Sequence, residues 1–229
     1  MLAGRFLSDG TRSARNGAAR LGAISTDSSY VVSLDTTVAK GGRASLTVRA
    51  IDGATNADGY NGARQFIDAA PYRGKRVRVR AHLRGNNAGQ ADLYMRVEGF
   101  AGDTAVRWFY DDMANRPFTG TFDWKEAQSV LDVPPEASRV TFGALLVGAG
   151  QMWADEFVID VVDASVESTT MEMPYFFPEQ EWASVKARWA GEPLSKAATN
   201  LGFEERQGPA TSAVNLRSAR LAEFHRQGL

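Results

Sequence analysis

The 229-residue chain is 44% hydrophobic and 23% charged, with 26 Lys plus Arg against 27 Asp plus Glu, a formal net charge of -1 and no cysteine. That length suits one large domain, or one domain with an appendage, around a sizeable core. The balanced charge gives no field to attract nucleic acid or an acidic membrane, and no apolar run approaches the twenty residues a membrane helix needs. The missing cysteine excludes disulfides, thiolate metal ligands and cysteine nucleophiles.

Residues 1–22 open with "MLAGRFLSDGTRSARNGAAR", in which Arg5, Arg12, Arg15 and Arg20 face a single acid, Asp9. The stretch lacks the continuous apolar segment of a secretory signal and reads as a leader or a poorly patterned first strand. Without a signal peptide, a cytoplasmic location is the default expectation.

From residue 23 to 163 the chain alternates short period-two apolar runs with Gly, Pro, Asn and Asp clusters, the pattern of antiparallel strands and their turns. Strands are predicted at 29–35, 43–50, 63–68, 75–84, 90–98, 105–111, 124–132, 138–147 and 151–162. In "KRVRVRAHLRG", Val77, Val79, Ala81 and Leu83 share one face, and Arg76, Arg78, Arg80, His82 and Arg84 the other. In "QADLYMRVEG", Leu93, Met95 and Val97 point inward, and Asp92, Tyr94, Arg96 and Glu98 outward. Neighbouring strands of this kind pair arginines with carboxylates across a sheet. "GAGQ" at 148–151 reads as a turn needing glycine at positive φ. The strand after it, "QMWADEFVID", is expected to line the core with Trp153, Asp155, Phe157, Ile159 and Val161 on one face.

Residues 164–229 form an extension of different character. "FPEQEWASVKARWAGEP" predicts a helix over about 179–190, between Pro178 and the Gly191/Pro193 stop signals. Trp182, Val185 and Trp189 form one stripe on it, docking on the sandwich or on a partner in a homodimer or second domain. In the tail, "SAVNLRSARLAEFHRQGL" has a weak helical pattern through Val214, Leu221 and Phe224.

Catalytic material is scarce. His82 and His225 are the only histidines, so neither a two-histidine metal site nor a Ser-His-Asp arrangement is signalled, and no phosphate-cradling glycine motif appears. Asp111, Asp112, Asp123, Asp155 and Glu156 offer carboxylates, but turn chemistry and cross-strand ion pairing account for them better than a glycosidase pair does. Aromatic residues beside planar polar groups are the stronger lead, because a sugar ring stacks on an aromatic plane while polar groups take its hydroxyls. Tyr94 and Arg96 share an outward face, and Trp108, Tyr110 and Asp112 follow in "AVRWFYDDMANRPF". Core packing explains Trp108 equally well.

Taken together, "PYRGKRVRVRAHLRG", "ADLYMRVEG", "YDDMANRPFTGTFDW", "LDVPPEASRVTFGALLVGAGQMWADEFVIDVV" and "NLGFEE" resemble the jelly-roll, galactose-binding-like modules found in bacteria beside hydrolases, C-terminal-processing-type serine peptidases and transcription regulators. The resemblance covers about residues 30–162 and implies an all-β antiparallel sandwich, with a short helical appendage after it, similar in fold to carbohydrate-binding modules. Such modules use an "N-x-GFE" glutamate and the aspartate of a final "W-x-D" strand around a structural calcium. Asp155 matches the aspartate and Glu204 the glutamate, although Glu204 follows the sandwich instead of preceding it. Either a second, truncated copy begins there, or a C-terminal segment returns to fill the first-strand position.

The resulting expectation is a non-catalytic module that binds a carbohydrate or similar small polar ligand through Tyr94, Arg96, Trp108, Tyr110, Asp112 and Arg80. The alternatives are a protein-interaction or sensory domain docking through the extension, and, more remotely, a glycoside hydrolase or lyase.

Overall fold

The computed structural model describes residues 22–24, 27–51, 59–171, 174–192, 194–198 and 201–204. Its strands are β1 (Gly22–Ala23), β2 (Tyr30–Asp35), β3 (Ser45–Ala50), β4 (Tyr60–Asp68), β5 (Lys75–Ala101), β6 (Thr104–Asp111), β7 (Phe118–Val133), β8 (Ala137–Val147), β9 (Gln151–Val162) and β10 (Tyr175–Phe176). One helix, α1 (Glu179–Gly191), follows them. Of the leader only Gly22 is described, and the weak helical pattern of the tail, with His225, lies outside the described residues.

The fold is an antiparallel β-sandwich of jelly-roll type, and β5 belongs to both of its layers. The first half of β5 pairs with β7 and β9, and β9 continues to β3 and β2. The second half pairs with β8 and β6, which lead to β4 and β1 on one side and to β10 on the other. Val77, Val79, Ala81 and Leu83 from the first half share one core with Leu93, Met95 and Val97 from the second, all at most 1% exposed. Burying each Leu or Val of such a core contributes roughly 1.5–3 kcal/mol relative to leaving it wet.

The sequence predicts two strands where β5 is one, because "GNNAG" has the composition of a turn. Here those residues bend the strand without ending it. Gly85 lies so close to Phe122 and the Gly120 carbonyl that a Cβ would collide, and Asn87 takes a positive φ of 48°. The β8–β9 turn crosses between layers at the same place, with Gly148 and Gly150 at φ 73° and 88° and the Gly89 N–H donating to the Ala149 carbonyl at 2.8 Å.

Another departure lies in β9. Glu156 has φ 51°, and the pairing with β5 shifts register between Arg80 and His82, the signature of a bulge. The bulge reverses the alternation. Met152 and Ala154 enter the core before it and Phe157 after it. Trp153 therefore does not share a face with Phe157. Its indole N–H donates to Asp35 at 2.9 Å, and Arg84 stacks over its ring. Val161, expected inside, is 50% exposed.

The extension wraps the second layer. After β9, the Thr169 N–H donates to Val130 and the Met171 N–H to Tyr110. β10 then pairs with the outer edge of β6, and α1 crosses the outer face to the far side, where Ser195 bridges Ile67 of β4. Val185 and Trp189 are buried against Ala105 and Phe100 under the helix, with Trp182 half-buried beside them and its N–H on the Phe177 carbonyl at 2.7 Å. The tryptophan stripe is thus committed to the chain's own sheet. Finally, residues 201–204 return to β9, where the Phe157 N–H donates to Leu201 and Phe203 packs edge-on against Phe157.

Candidate functional site

The two outer faces differ in how many buried polar atoms lack a hydrogen bond among the described residues: Arg80 Nε and His82 Nδ1 on the first layer, a longer row on the second. On the first layer, the arginine row of β5 meets carboxylates of its neighbours: Arg76 holds Asp132 through two 2.8 Å hydrogen bonds, Arg78 reaches Asp160 at 2.7 Å, and Arg80 lies 3.5 Å from Glu126. His82 Nδ1 is 3.2 Å from Glu156. An open depression of about 280 Å³ lies among Arg80, His82, Glu126, Glu156 and Val158. Arg80 belongs to this face and is separated from the other ligand residues expected from the sequence, because the bend in β5 carries Tyr94 and Arg96 into the second layer.

On the second layer, outward residues of four adjacent strands form one polar cluster beneath the C-terminal strap. β5 supplies Asp92, Tyr94, Arg96 and Glu98, β8 supplies Arg139 and Thr141, β4 supplies Arg64, and β6 supplies Arg107 and Tyr110. Tyr94 is 3% exposed, so it is a floor and not the wet stacking platform that alternation alone suggests. Its hydroxyl has no hydrogen-bond partner among the described residues. Burial pushes its pKa well above the ordinary tyrosine value, with Arg96 and Arg64 pulling back and Glu98 and Glu192 adding to the rise. Arg96 stacks over the Tyr94 ring at 5.8 Å and lies 3.7 Å from Glu98, whose other oxygen accepts from Thr141.

The rest of the cluster is organised by stacking. Arg139, 1% exposed, lies 4.5 Å from the centre of the Phe66 ring and 5.5 Å from that of Trp189. Glu192, just past the end of α1, reaches Arg139 at 3.0 Å and Arg64 at 3.4 Å. At the β6 edge, Arg107 stacks between Tyr110 and Tyr175, at 4.8 and 5.3 Å. The Tyr110 hydroxyl donates to Asp112 at 2.7 Å, and burial, reinforced by that bond, raises its pKa. Trp108 sits at the register shift between β5 and β6, half-buried against the core and edge-on to the exposed Phe176.

Several buried atoms of this face have no hydrogen-bond partner among the described residues: Arg64 Nε, Asp92 Oδ1, Tyr94 OH, Arg96 Nε, Trp108 Nε1, and Arg139 Nε, Nη1 and Nη2. Buried polar atoms in folded proteins are almost always paired, so such a row across one sheet marks a place where water or a ligand completes the bonding. Asp92 fits this picture, since burial and then the nearby Asp112 push its carboxyl up to about 7.

The adjacent acids behave as the sequence suggests. Asp111 turns away from Asp112, is fully buried, and is held by Arg116 at 2.9 and 2.5 Å and by the Thr169 hydroxyl at 2.5 Å. The two residues matched to a calcium site do meet around one loop, but with the wrong partners for a cation. Asp155 accepts from the Lys40 and Gly41 N–H groups at 2.9 and 3.2 Å and from the Glu156 N–H at 2.8 Å. Glu204 accepts from the Arg43 N–H at 2.7 Å and from its guanidinium at 3.1 Å. Calcium is caged by six to eight oxygens, whereas both carboxylates here are met by N–H donors. Among the described residues no group of three or more His, Cys, Asp or Glu is placed to hold a metal. These residues do not fit a calcium site.

Sequence reasoning missed Arg64, Arg107, Arg139 and Glu192. A signal existed for Arg139, an arginine inside "SRVTFGALLV", a run apolar enough to be buried on both faces.

No protein-family model matches the chain. Over 142 residues, 62% of its length, it is 41% identical to the uncharacterized HTH-type transcriptional regulator YbfP of Bacillus subtilis (strain 168), and the match spans 41% of that protein. Among solved structures it is similar to the C-terminal family 22 carbohydrate binding module of Clostridium thermocellum Xyn10B, with a TM-score of 0.46 and 18% identity over 64% of this chain and 88% of that one. It is also similar to the CBM22-1 xylan-binding domain of Paenibacillus barcinonensis Xyn10C, with a TM-score of 0.43 and 20% identity over 66% and 99% of the two chains. These are likenesses of fold at low identity.

Proposed function

We propose that the chain is a non-catalytic binding module that takes a carbohydrate or similar small polar ligand on the outer face of the second layer. The observation that carries this reading is the row of buried, unpartnered polar atoms on Arg64, Asp92, Tyr94, Arg96, Trp108 and Arg139. Tyr110, Arg107 and Tyr175 add a stack of planar groups at its edge, with Asp112 beside them. Fixed guanidinium, hydroxyl and carboxylate groups beside aromatic rings are the parts from which small-ligand sites are built.

Thermal unfolding of the full chain against a panel of mono- and oligosaccharides tests the reading. A ligand at a hundred times its dissociation constant stabilises the folded state by about 2.7 kcal/mol, which raises the melting temperature measurably. The rise should disappear in Arg96→Met or Tyr110→Phe and survive in Arg80→Met. No shift from any saccharide, or a shift lost only in Arg80→Met, would overturn it.

A second reading, compatible with the first, is a sensory module of a larger regulator. It is favoured by the 41% identity to part of a protein named as a transcriptional regulator. Its test is whether a ligand found in the screen changes the DNA affinity of the longer relative by the factor that linkage requires.

A further inference from the structure

We infer that the ligand of this face carries a carboxylate, as an acidic sugar does, and that Glu192 occupies the place of that carboxylate when the ligand is absent. The inference rests on the binding-module reading and specifies its ligand.

Three guanidinium groups meet on this face: Arg96 from β5 stacks over the Tyr94 ring, while Arg64 from β4 and Arg139 from β8 both reach Glu192. Two carboxylates face these three groups, Glu98 and Glu192. Glu98 belongs to β5 itself, is 3% exposed and is held by Thr141. Glu192 is different, because it reaches the cluster from the strap, where it takes Arg139 on one oxygen and Arg64 on the other.

That latch is incomplete on both sides. Arg139 Nη1 lies 3.0 Å from Glu192, yet none of the three guanidinium nitrogens of this residue, 1% exposed, makes a well-formed hydrogen bond among the described residues. A guanidinium is a planar fork that suits both oxygens of one carboxylate. Glu192 also sits at the negative end of the α1 dipole, where a carboxylate is disfavoured. An incoming carboxylate free of the helix can take the fork in full and release the Glu192 end of the strap. A neutral sugar cannot supply that charge.

Isothermal titration of the full chain with tri-galacturonate, its neutral methyl ester and galactose 6-phosphate tests the inference. The acid should bind at least about tenfold tighter than the ester, the scale of losing a charge-assisted hydrogen-bond pair. Glu192→Gln should tighten tri-galacturonate binding, by removing the internal competitor, and Arg139→Met should weaken it at least about tenfold. Arg64→Met, at a more exposed position, repeats the test if Arg139→Met fails to fold. Equal binding of acid and ester, tighter binding of the phosphate, or no gain in Glu192→Gln overturns the carboxylate assignment. The binding-module reading survives if the ester binds and Arg96→Met abolishes it. If no saccharide binds, both fall.

Discussion

Asp155 and Glu204, 49 residues apart in sequence, accept hydrogen bonds from the backbone of one loop, Asp155 from Lys40 and Gly41 and Glu204 from Arg43. The last described segment of the chain is thereby tied to the loop between β2 and β3. Asp155→Ala removes the acceptor of three backbone N–H groups, those of Lys40, Gly41 and Glu156, for an expected loss of about 2–3 kcal/mol in urea denaturation. Glu204→Ala, at an exposed position screened by solvent, should cost less. Because N–H groups already fill these carboxylates, the melting temperature should be the same in calcium and in a chelator.

Asp92 makes stability depend on pH. Its carboxyl titrates at about 7 in the folded state against 3.8 unfolded. The folded chain therefore binds more protons between these values, so this contribution is complete below about pH 4 and is lost as pH rises towards 7. Three pK units correspond to at most about 4 kcal/mol. Asp92→Asn should flatten the decline between pH 4 and 7 and raise the melting temperature at pH 8.

Trp189 anchors the strap. Its ring packs edge-on against Phe100 and Phe177, and Arg139 lies over its face. Trp189→Ala should cost roughly 3–5 kcal/mol, the range for truncating a buried aromatic. Half-buried Trp182 should cost less on the same substitution. Equal and small effects would mean that α1 is not part of the cooperative fold.

Two arginine–aspartate pairs should separate by burial. Arg116→Met leaves the fully buried Asp111 without its guanidinium, an expected loss of about 3 kcal/mol or more. Arg78→Met removes a pair in which both side chains keep partial access to solvent, and should cost less, about 1 kcal/mol, and less still in high salt.

Much of the fold was legible because a two-residue period reports a half-buried strand directly. Val77 to Leu83 and Leu93 to Val97 fall inward as alternation requires, and the arginine row of β5 finds its carboxylates across the sheet. Of the "NLGFEE" segment, residues 201–204 are described, and Phe203 packs against Phe157 of the sandwich. What alternation could not report is a reversal of its own phase, as at Glu156, or a strand that changes layer at Gly85 to Gly89. Nor could it report what covers a face. Tyr94 and Arg96 point outward as read, but the strap that buries them comes from about a hundred residues later in the chain. Arg80 was grouped with them by residue type, and the bend in β5 separates them.

The most direct test of where the ligand binds is the set of arginine Nε–Hε resonances in a ¹H–¹⁵N correlation spectrum, recorded while a saccharide identified by thermal shift is titrated into the full chain. Arg64, Arg96, Arg107 and Arg139 report the second layer; Arg76, Arg78, Arg80 and Arg84 report the first. Saturable shifts confined to the first set are the expected result. Shifts confined to Arg76 through Arg84 would place binding on the opposite face and contradict the assignment.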